Sequence, residues 1–301
     1  VGEDGFTYIT RTPGPPLTRW VGSLWYARGR LRAPAERVAP LGSAVLGLVL
    51  GAPIVQTSRN GAGETHLARS GFLLGPSDEP LLNRPVGDTW CVGVVATPVG
   101  CAVAFGVPPA TVRGRVVGAE VWPELPEVRR ALRATEDPEA LLDVVESALV
   151  RSTRRGAGRL PRSTGAVEAA VAALEADPGR PVGDVAQEVG LSHAYLDRAF
   201  ARLVGLSPGT FARVVRMRQL LASLDQDGPV AWGRLAVDHG WFDQPHLIRQ
   251  FRRHTGVTPA AYLSAYRTVY GGEATEPGFT PVVTVASAEV KPVQDVCGAH
   301  V

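Results

Sequence analysis

Apolar residues change their rhythm once along the chain. Up to residue 120 they fall in short runs, Trp20 to Tyr26, Ala44 to Leu50, Pro53 to Thr57, Gly71 to Leu74, Trp90 to Ala96 and Thr111 to Val117, rich in Val, Leu and aromatics and separated by Gly and Pro. Runs of that length between turn formers predict strands, and several at this spacing predict a barrel or sandwich. From Glu124 the spacing becomes helical: Val128 and Leu132, then Leu141, Leu142, Val145 and Leu149, with Asp137 and Pro138 between them. Two helices therefore end the first region.

The next pattern is written twice. Ala186, Gly190, Leu196, Arg198, Phe200, Gly205 and Pro208 recur as Ala236, Gly240, Leu247, Arg249, Phe251, Gly256 and Pro259, with one inserted residue. Each copy predicts a short helix, a stop at Gly190 or Gly240, a cap at Ser192 or Asp243, and a second helix with one apolar stripe. Two helices joined by a tight Gly-containing turn are a helix-turn-helix, whose second helix can enter a DNA major groove. Between the copies, Ser207 and Pro208 open a helix bearing Phe211, Val214, Val215, Leu220, Leu221 and Leu224. Run to Leu224, it spans roughly 27 Å at about 1.5 Å per residue, a rod able to hold two recognition helices apart.

These residues carry a family resemblance. The run Gly240-Trp241-Phe242-Asp243-Gln244-Pro245-His246-Leu247-Ile248-Arg249-Gln250-Phe251-Arg252-Arg253, followed by Gly256, Val257, Thr258, Pro259 and Tyr262, resembles the signature of the AraC/XylS transcription regulators. The resemblance extends from near Ala166 to Arg267 and implies an all-α, seven-helix domain touching two adjacent groove segments. Pro245 stands where that family usually has Ser, Leu247 where an aromatic is common, and Ala194 and Ile248 are apolar at positions that often read bases. The β-rich region before it is similar to the sensor part of many such regulators, some of them cupin-like. The segment from Gly93 to Val107, with Pro108 and Pro109, resembles a poorly characterised domain that precedes this type of DNA-binding domain.

The expected architecture is α+β and multidomain. Residues 1–152 form a β-rich barrel or cupin-like sensor or dimerisation domain ending in helices, 153–164 a basic linker, 165–270 the DNA-binding domain, and 271–301 an acidic tail. Within that tail, 282–285 and 290–293 are candidate strands. The formal net charge is only +2. Its distribution is more informative: residues 1–150 carry −1, residues 151–270 carry +6 and residues 271–301 carry −3, and all 16 positive side chains of the middle block are Arg. A guanidinium donates two parallel hydrogen bonds and suits phosphate and guanine.

Helix geometry sorts the candidates. His193, Ala194, Asp197 and Arg198 lie opposite Leu196, Phe200 and Leu203, and Gln244, Pro245, Ile248 and Arg249 lie opposite the second stripe. Arg198, Arg249, Gln244, His193 and Asp197 are the candidate base readers, while Arg202, Arg252 and Arg253, farther along, are candidate phosphate contacts. Trp20, Trp25, Tyr26 and Trp90, with Trp122, are open to two readings, an effector pocket or an apolar core. Cys91 and Cys101 act as a switch only if their sulfurs converge, and otherwise as apolar filler. His66 reads as a surface-loop residue, and His239, His246 and His254 as surface or DNA-facing groups.

No nucleophile elbow, phosphate loop or dinucleotide fingerprint is present, so an enzyme is not expected, and no metal or other cofactor is implied. No apolar run approaches the roughly 20 residues of a membrane span, no signal peptide is evident, and the cytoplasm is the expected location. Candidate partners are double-stranded DNA, a small-molecule effector of unknown identity, a second copy of the chain and RNA polymerase. The expected function is transcription regulation, with the first domain acting through an effector or dimerisation; the alternative is that it docks a protein partner and binds no small molecule.

Overall fold

The computed structural model describes residues 5–158, 160–225, 228–270 and 279–282. The first part contains β1 (Thr7–Arg11), β2 (Val21–Gly29), β3 (Glu36–Val38), β4 (Val45–Val49), β5 (Ile54–Thr57), β6 (Thr65–Ala68), β7 (Gly71–Leu74), β8 (Leu81–Pro85) and β9 (Thr89–Ala96). Short helices α1 (Cys101–Ala104) and α2 (Pro109–Val112) precede β10 (Val116–Gly118), and α3 (Leu125–Leu132) and α4 (Pro138–Ala157) follow. Seven helices come next: α5 (Thr164–Ala176), α6 (Val182–Glu188), α7 (His193–Leu203), α8 (Pro208–Ser223), α9 (Trp232–Asp238), α10 (Gln244–Thr255) and α11 (Pro259–Tyr270). A last strand, β11 (Phe279–Pro281), returns to the sandwich. Among the described residues, no helix is long and apolar enough to cross a membrane.

The strands form two antiparallel sheets, one in the order β1-β2-β9-β4-β7-β10 and one in the order β11-β3-β8-β5-β6. Side chains alternate across a strand, so the six-stranded sheet has two different apolar faces. Leu24, Tyr26, Leu46, Leu48, Val92 and Val94 join the helices in the main core, with Leu142, Val145 and Leu149 of α4. Val49, Phe72, Cys91 and Val116 face the five-stranded sheet, where they meet Ile54, Ala68 and Leu81. Each large side chain removed from water in these layers stabilises by about 1.5–3 kcal/mol.

Two glycines set the spacing at the centre of the six-stranded sheet. Gly93 lies between Trp25 and Gly47, and Gly47 lies between Gly93 and Phe72. The Trp25 ring covers the place a side chain on Gly93 would take, and the Phe72 ring does the same at Gly47.

Several expectations are corrected. The run Thr111 to Val117 is not one strand: Pro108 and Pro109 open α2, Gly114 turns the chain at φ 64, and only Val116 begins a strand. Residues 153–157 continue α4 instead of starting a linker, because Ser152 and Thr153 are buried and Ser152 Oγ accepts from Trp122 Nε1 at 3.3 Å. His66 sits half-buried in β6, paired across from Gln56, and not in a loop. Of the tail, Phe279–Pro281 pairs with β3; the candidate strand at 290–293 and nearly all of the one at 282–285 lie outside the described residues. Cys91 and Cys101 belong to different apolar clusters, and burial pushes both thiols up to about 12.

Two predictions follow from this packing. Gly93→Ala would place a Cβ 2.6 Å from the Leu46 carbonyl oxygen as well as against Trp25, and urea unfolding should show a loss of about 1–3 kcal/mol. In a Cys297→Ser variant at mildly alkaline pH, the native protein should resist an aromatic disulfide reagent, with Cys91 and Cys101 both labelling after denaturation. Prompt labelling of the native form would contradict the packing.

Candidate nucleic-acid interface

Both copies of the repeat fold by the same local chemistry. Gly190 and Gly240 take φ 71 and 75 at the end of the first helix of each copy, and Gly205 and Gly256 take φ 85 and 80 at the end of the second. A side chain would be strained in that left-handed region, which is why the pattern places glycine there four times. Ser192 Oγ accepts from the Tyr195 amide at 3.3 Å, and Asp243 Oδ1 from the His246 amide at 2.7 Å, capping α7 and α10.

The two second helices bury matching stripes. In α7 these are Leu196, Ala199, Phe200 and Leu203; in α10 they are Leu247, Phe251, His254 and Thr255. His193, Ala194 and Arg198 are exposed on α7 with Asp197 half-buried, and Gln244, Pro245 and Arg249 are exposed on α10 with Ile248 half-buried. Arg198 lies 5.9 Å from the Tyr195 ring centroid instead of pairing with its neighbour Asp197. Arg202 and Arg252 are exposed one turn farther along.

Both helices are held at their C-terminal ends by the sandwich. A Cβ on Gly205, just past α7, would stand 3.1 Å from both Pro76 and Pro109. Just past α10, the Gly256 carbonyl accepts from Asn60 Nδ2 at 3.4 Å, and Asn60 Oδ1 accepts from Arg37 Nε at 2.8 Å. Asn60 and Arg59 both have positive φ, 53 and 50, so this contact rests on a strained turn. Arg253 donates to Asp78 Oδ2 from Nε at 3.2 Å and Nη2 at 2.8 Å. Arg253, a candidate phosphate contact in the sequence, is thus engaged with the sandwich in the described structure while its side chain stays half-exposed.

Helix α8 joins the two units. Its first half, with Phe211, Ala212 and Val215, belongs to the main core, and its second half, with Met217, Leu220 and Leu221, to a smaller core with Trp241, Leu247, Phe251 and Tyr262. Arg216 ties the units from the middle of this rod: Nη1 donates to the Gly240 carbonyl at 3.0 Å and Nη2 to the Pro178 carbonyl at 2.9 Å, with the guanidinium 5.6 Å from the Trp241 ring. Arg218 Nη1 donates to the Leu41 carbonyl of the sandwich at 3.0 Å.

The remaining candidates separate. His254 is buried, not DNA-facing; its Nδ1 meets the Gln250 carbonyl at 2.8 Å, and burial pushes its pKa below the ordinary imidazole value. His239 Nε2 lies 3.0 Å from Ser223 Oγ. The four aromatics proposed for a pocket do not converge. Tyr26, Trp20 and Trp90 pack with the main core, whereas Trp25, next to Tyr26 on one strand, points to the opposite face. A cavity of about 50 Å³ lies elsewhere, at one end of the sandwich between Val38, Leu81, Val45, Leu74 and Val116.

One exposed side chain had no role in the sequence reading. Phe242 is 90% exposed between the buried anchor Trp241 and the cap Asp243. Its place one residue before a capped recognition helix is the signal that could have marked it.

A family profile described as a helix-turn-helix domain matches residues 170–265. No curated protein matches the chain. Among solved structures, it is similar to a probable AraC family transcriptional regulator from Rhodopseudomonas palustris CGA009, with 28% identity, coverage of 34% of this chain and 96% of that one, and a TM-score of 0.31. It is similar to the DNA-binding domain of AdpA, a global transcriptional factor in complex with a target DNA, with 28% identity, 34% and 93% coverage, and a TM-score of 0.31. It is also similar to unsaturated fatty acid-bound ToxT from Vibrio cholerae strain SCE256, with 10% identity, 90% and 98% coverage, and a TM-score of 0.48. The doubled repeat, its caps and the family match together identify residues 170–265 as an AraC-type helix-turn-helix domain, and the chain as a DNA-binding transcription regulator.

Proposed function

We propose that the protein reads two adjacent major-groove segments of a promoter, in the cytoplasm, with α7 and α10, and that the sandwich biases this reading in response to a small effector. The observation that carries it is shared by both helices: each turns its exposed N-terminal residues outward while its C-terminal end rests on the sandwich. A change inside the sandwich then has a short mechanical path to both readers.

In this reading Arg198 and Arg249 contact base edges, with Gln244 next and His193 and Asp197 at the margin, and Arg202 and Arg252 meet phosphates. The surfaces are unlike: α7 offers Arg198 beside Asp197, and α10 offers Gln244 and Arg249 beside Pro245 and Ile248. An asymmetric half-site is expected. Mapping the genomic sites bound by the full chain tests the reading, and recovery of no common sequence would overturn it.

Arg249→Ala should weaken specific binding by about 1–3 kcal/mol and relax preference at one base pair, as seen by titrating single-base variants of the site. Arg252→Ala should lower the slope of log affinity against log salt by about 1, since one phosphate contact is lost. Arg253→Ala should leave that slope unchanged and instead loosen the α10 end, read as faster amide exchange near Gly256.

A further inference from the structure

The turn of the second helix-turn-helix holds one residue more than the turn of the first. Gly190 and Gly240 take the same left-handed conformation after α6 and α9. The residue after each glycine donates its amide to a matching carbonyl, Leu191 to Ala186 at 2.9 Å and Trp241 to Ala236 at 2.7 Å. Ser192 follows Leu191 at once and caps α7, whereas Phe242 stands between Trp241 and Asp243, the cap of α10. Phe242 is therefore the inserted residue of the repeat.

Both neighbours of the insertion are fixed. Trp241 is buried in the small core with Leu247 and Phe251, and Asp243 is held by its bond from the His246 amide. Phe242 between them has the greatest exposure of any large apolar side chain among the described residues. A single exposed apolar residue is ordinary on a protein surface. An inserted ring on a backbone anchored from both sides is a different case: its place is set before a partner arrives, so little backbone freedom is lost when it makes a contact.

That place is the entry of α10. Gln244 and Pro245, next along the chain, are exposed, and Arg249 is exposed farther along the same helix. A recognition helix meets base edges with its N-terminal residues. A phenyl ring carries no charge and no hydrogen-bonding atom, so it cannot bond a phosphate. What the major groove offers such a group is the C5 methyl of thymine, the apolar feature of the base edges there. Apolar wedges between base steps are a minor-groove device, whereas the proposed reading puts α10 in the major groove.

We propose that Phe242 reads a thymine: its ring packs on the 5-methyl group of one T in the DNA segment that α10 enters, beside the bases contacted by Gln244 and Arg249. The inference rests on the assignment of α10 as a major-groove reader. It adds an apolar discriminator to the hydrogen-bonding ones, and it confines that discriminator to one half of the site, because the first turn has no residue at the corresponding place.

Deoxyuridine in place of thymidine removes the methyl and keeps the base pair. In a site recovered by genomic mapping, each thymine is replaced in turn and the affinity of the full chain is measured. For the native chain, one replacement in the half of the site relaxed by Arg249→Ala should weaken binding about fourfold, the effect of one buried methyl carbon. Phe242→Ala should bind the thymine site about fourfold or more weakly and show no further loss when that thymine is replaced. Its thermal unfolding midpoint should match that of the native chain, because so exposed a side chain contributes little to folding. Indifference of the native chain to every replacement in that half, or a methyl effect that persists undiminished at every position in Phe242→Ala, would overturn the proposal. If the native chain binds a specific site and ignores every methyl, thymine reading fails and the regulator stands; if it binds no specific site, both fail.

Discussion

The arrangement of the two reading helices depends on one short loop. Residues 75–80 leave β7 and touch the end of both: Pro76 packs against Gly205 behind α7, and Asp78 holds Arg253 near the end of α10. The loop has little freedom of its own. The Gly75 amide donates to the Arg115 carbonyl at 3.0 Å, the Gly114 amide to the Pro76 carbonyl at 2.9 Å, and the Asn60 amide to the Pro80 carbonyl at 2.7 Å. A segment pinned on two sides to a sheet fixes what rests on it. With Pro109 behind Gly205 and Asn60 on the Gly256 carbonyl, it relates the helices through the sandwich as well as through α8.

Helix α8 alone is an imperfect ruler, because its two halves serve different cores. The first helix-turn-helix shares the large core with the sandwich and α4, while the second closes a small core to which the sandwich contributes Ala39. Cores of unequal size imply unequal resistance to opening, and the smaller one is the easier to disturb. Arg216 compensates by bonding backbone on both sides of the rod, to Pro178 and to Gly240. That arginine serves geometry more than charge.

Much of this was legible in the sequence, for identifiable reasons. The doubled glycine pattern, the caps Ser192 and Asp243 and the apolar stripes depend on neighbours a few residues away, so local chemistry predicts them. The strands β1, β3, β6 and β8 were missed because they are short and carry polar residues such as Arg37, His66 and Asn83, which only pairing across a sheet makes regular. Trp25 and Tyr26 could have been separated in advance: adjacent residues of a strand face opposite ways, so they could not line one pocket. His254 looks like a surface residue on a helical wheel and is buried, and the exposed Arg253 pairs with Asp78, because the sandwich adjoins the end of α10. Contacts between distant parts of the chain leave no periodic trace.

The exposed positive charge of the reading faces, Arg198, Arg202, Arg249 and Arg252, is carried by guanidinium alone, and residues 151–270 contain no lysine. Guanidinium stays protonated at any pH a cell reaches, and it offers no amine for acetylation. Acidification and lysine-modifying enzymes therefore have no hold on this charge. In the proposed reading, control that acts through these four arginines comes from moving them, not from neutralising them.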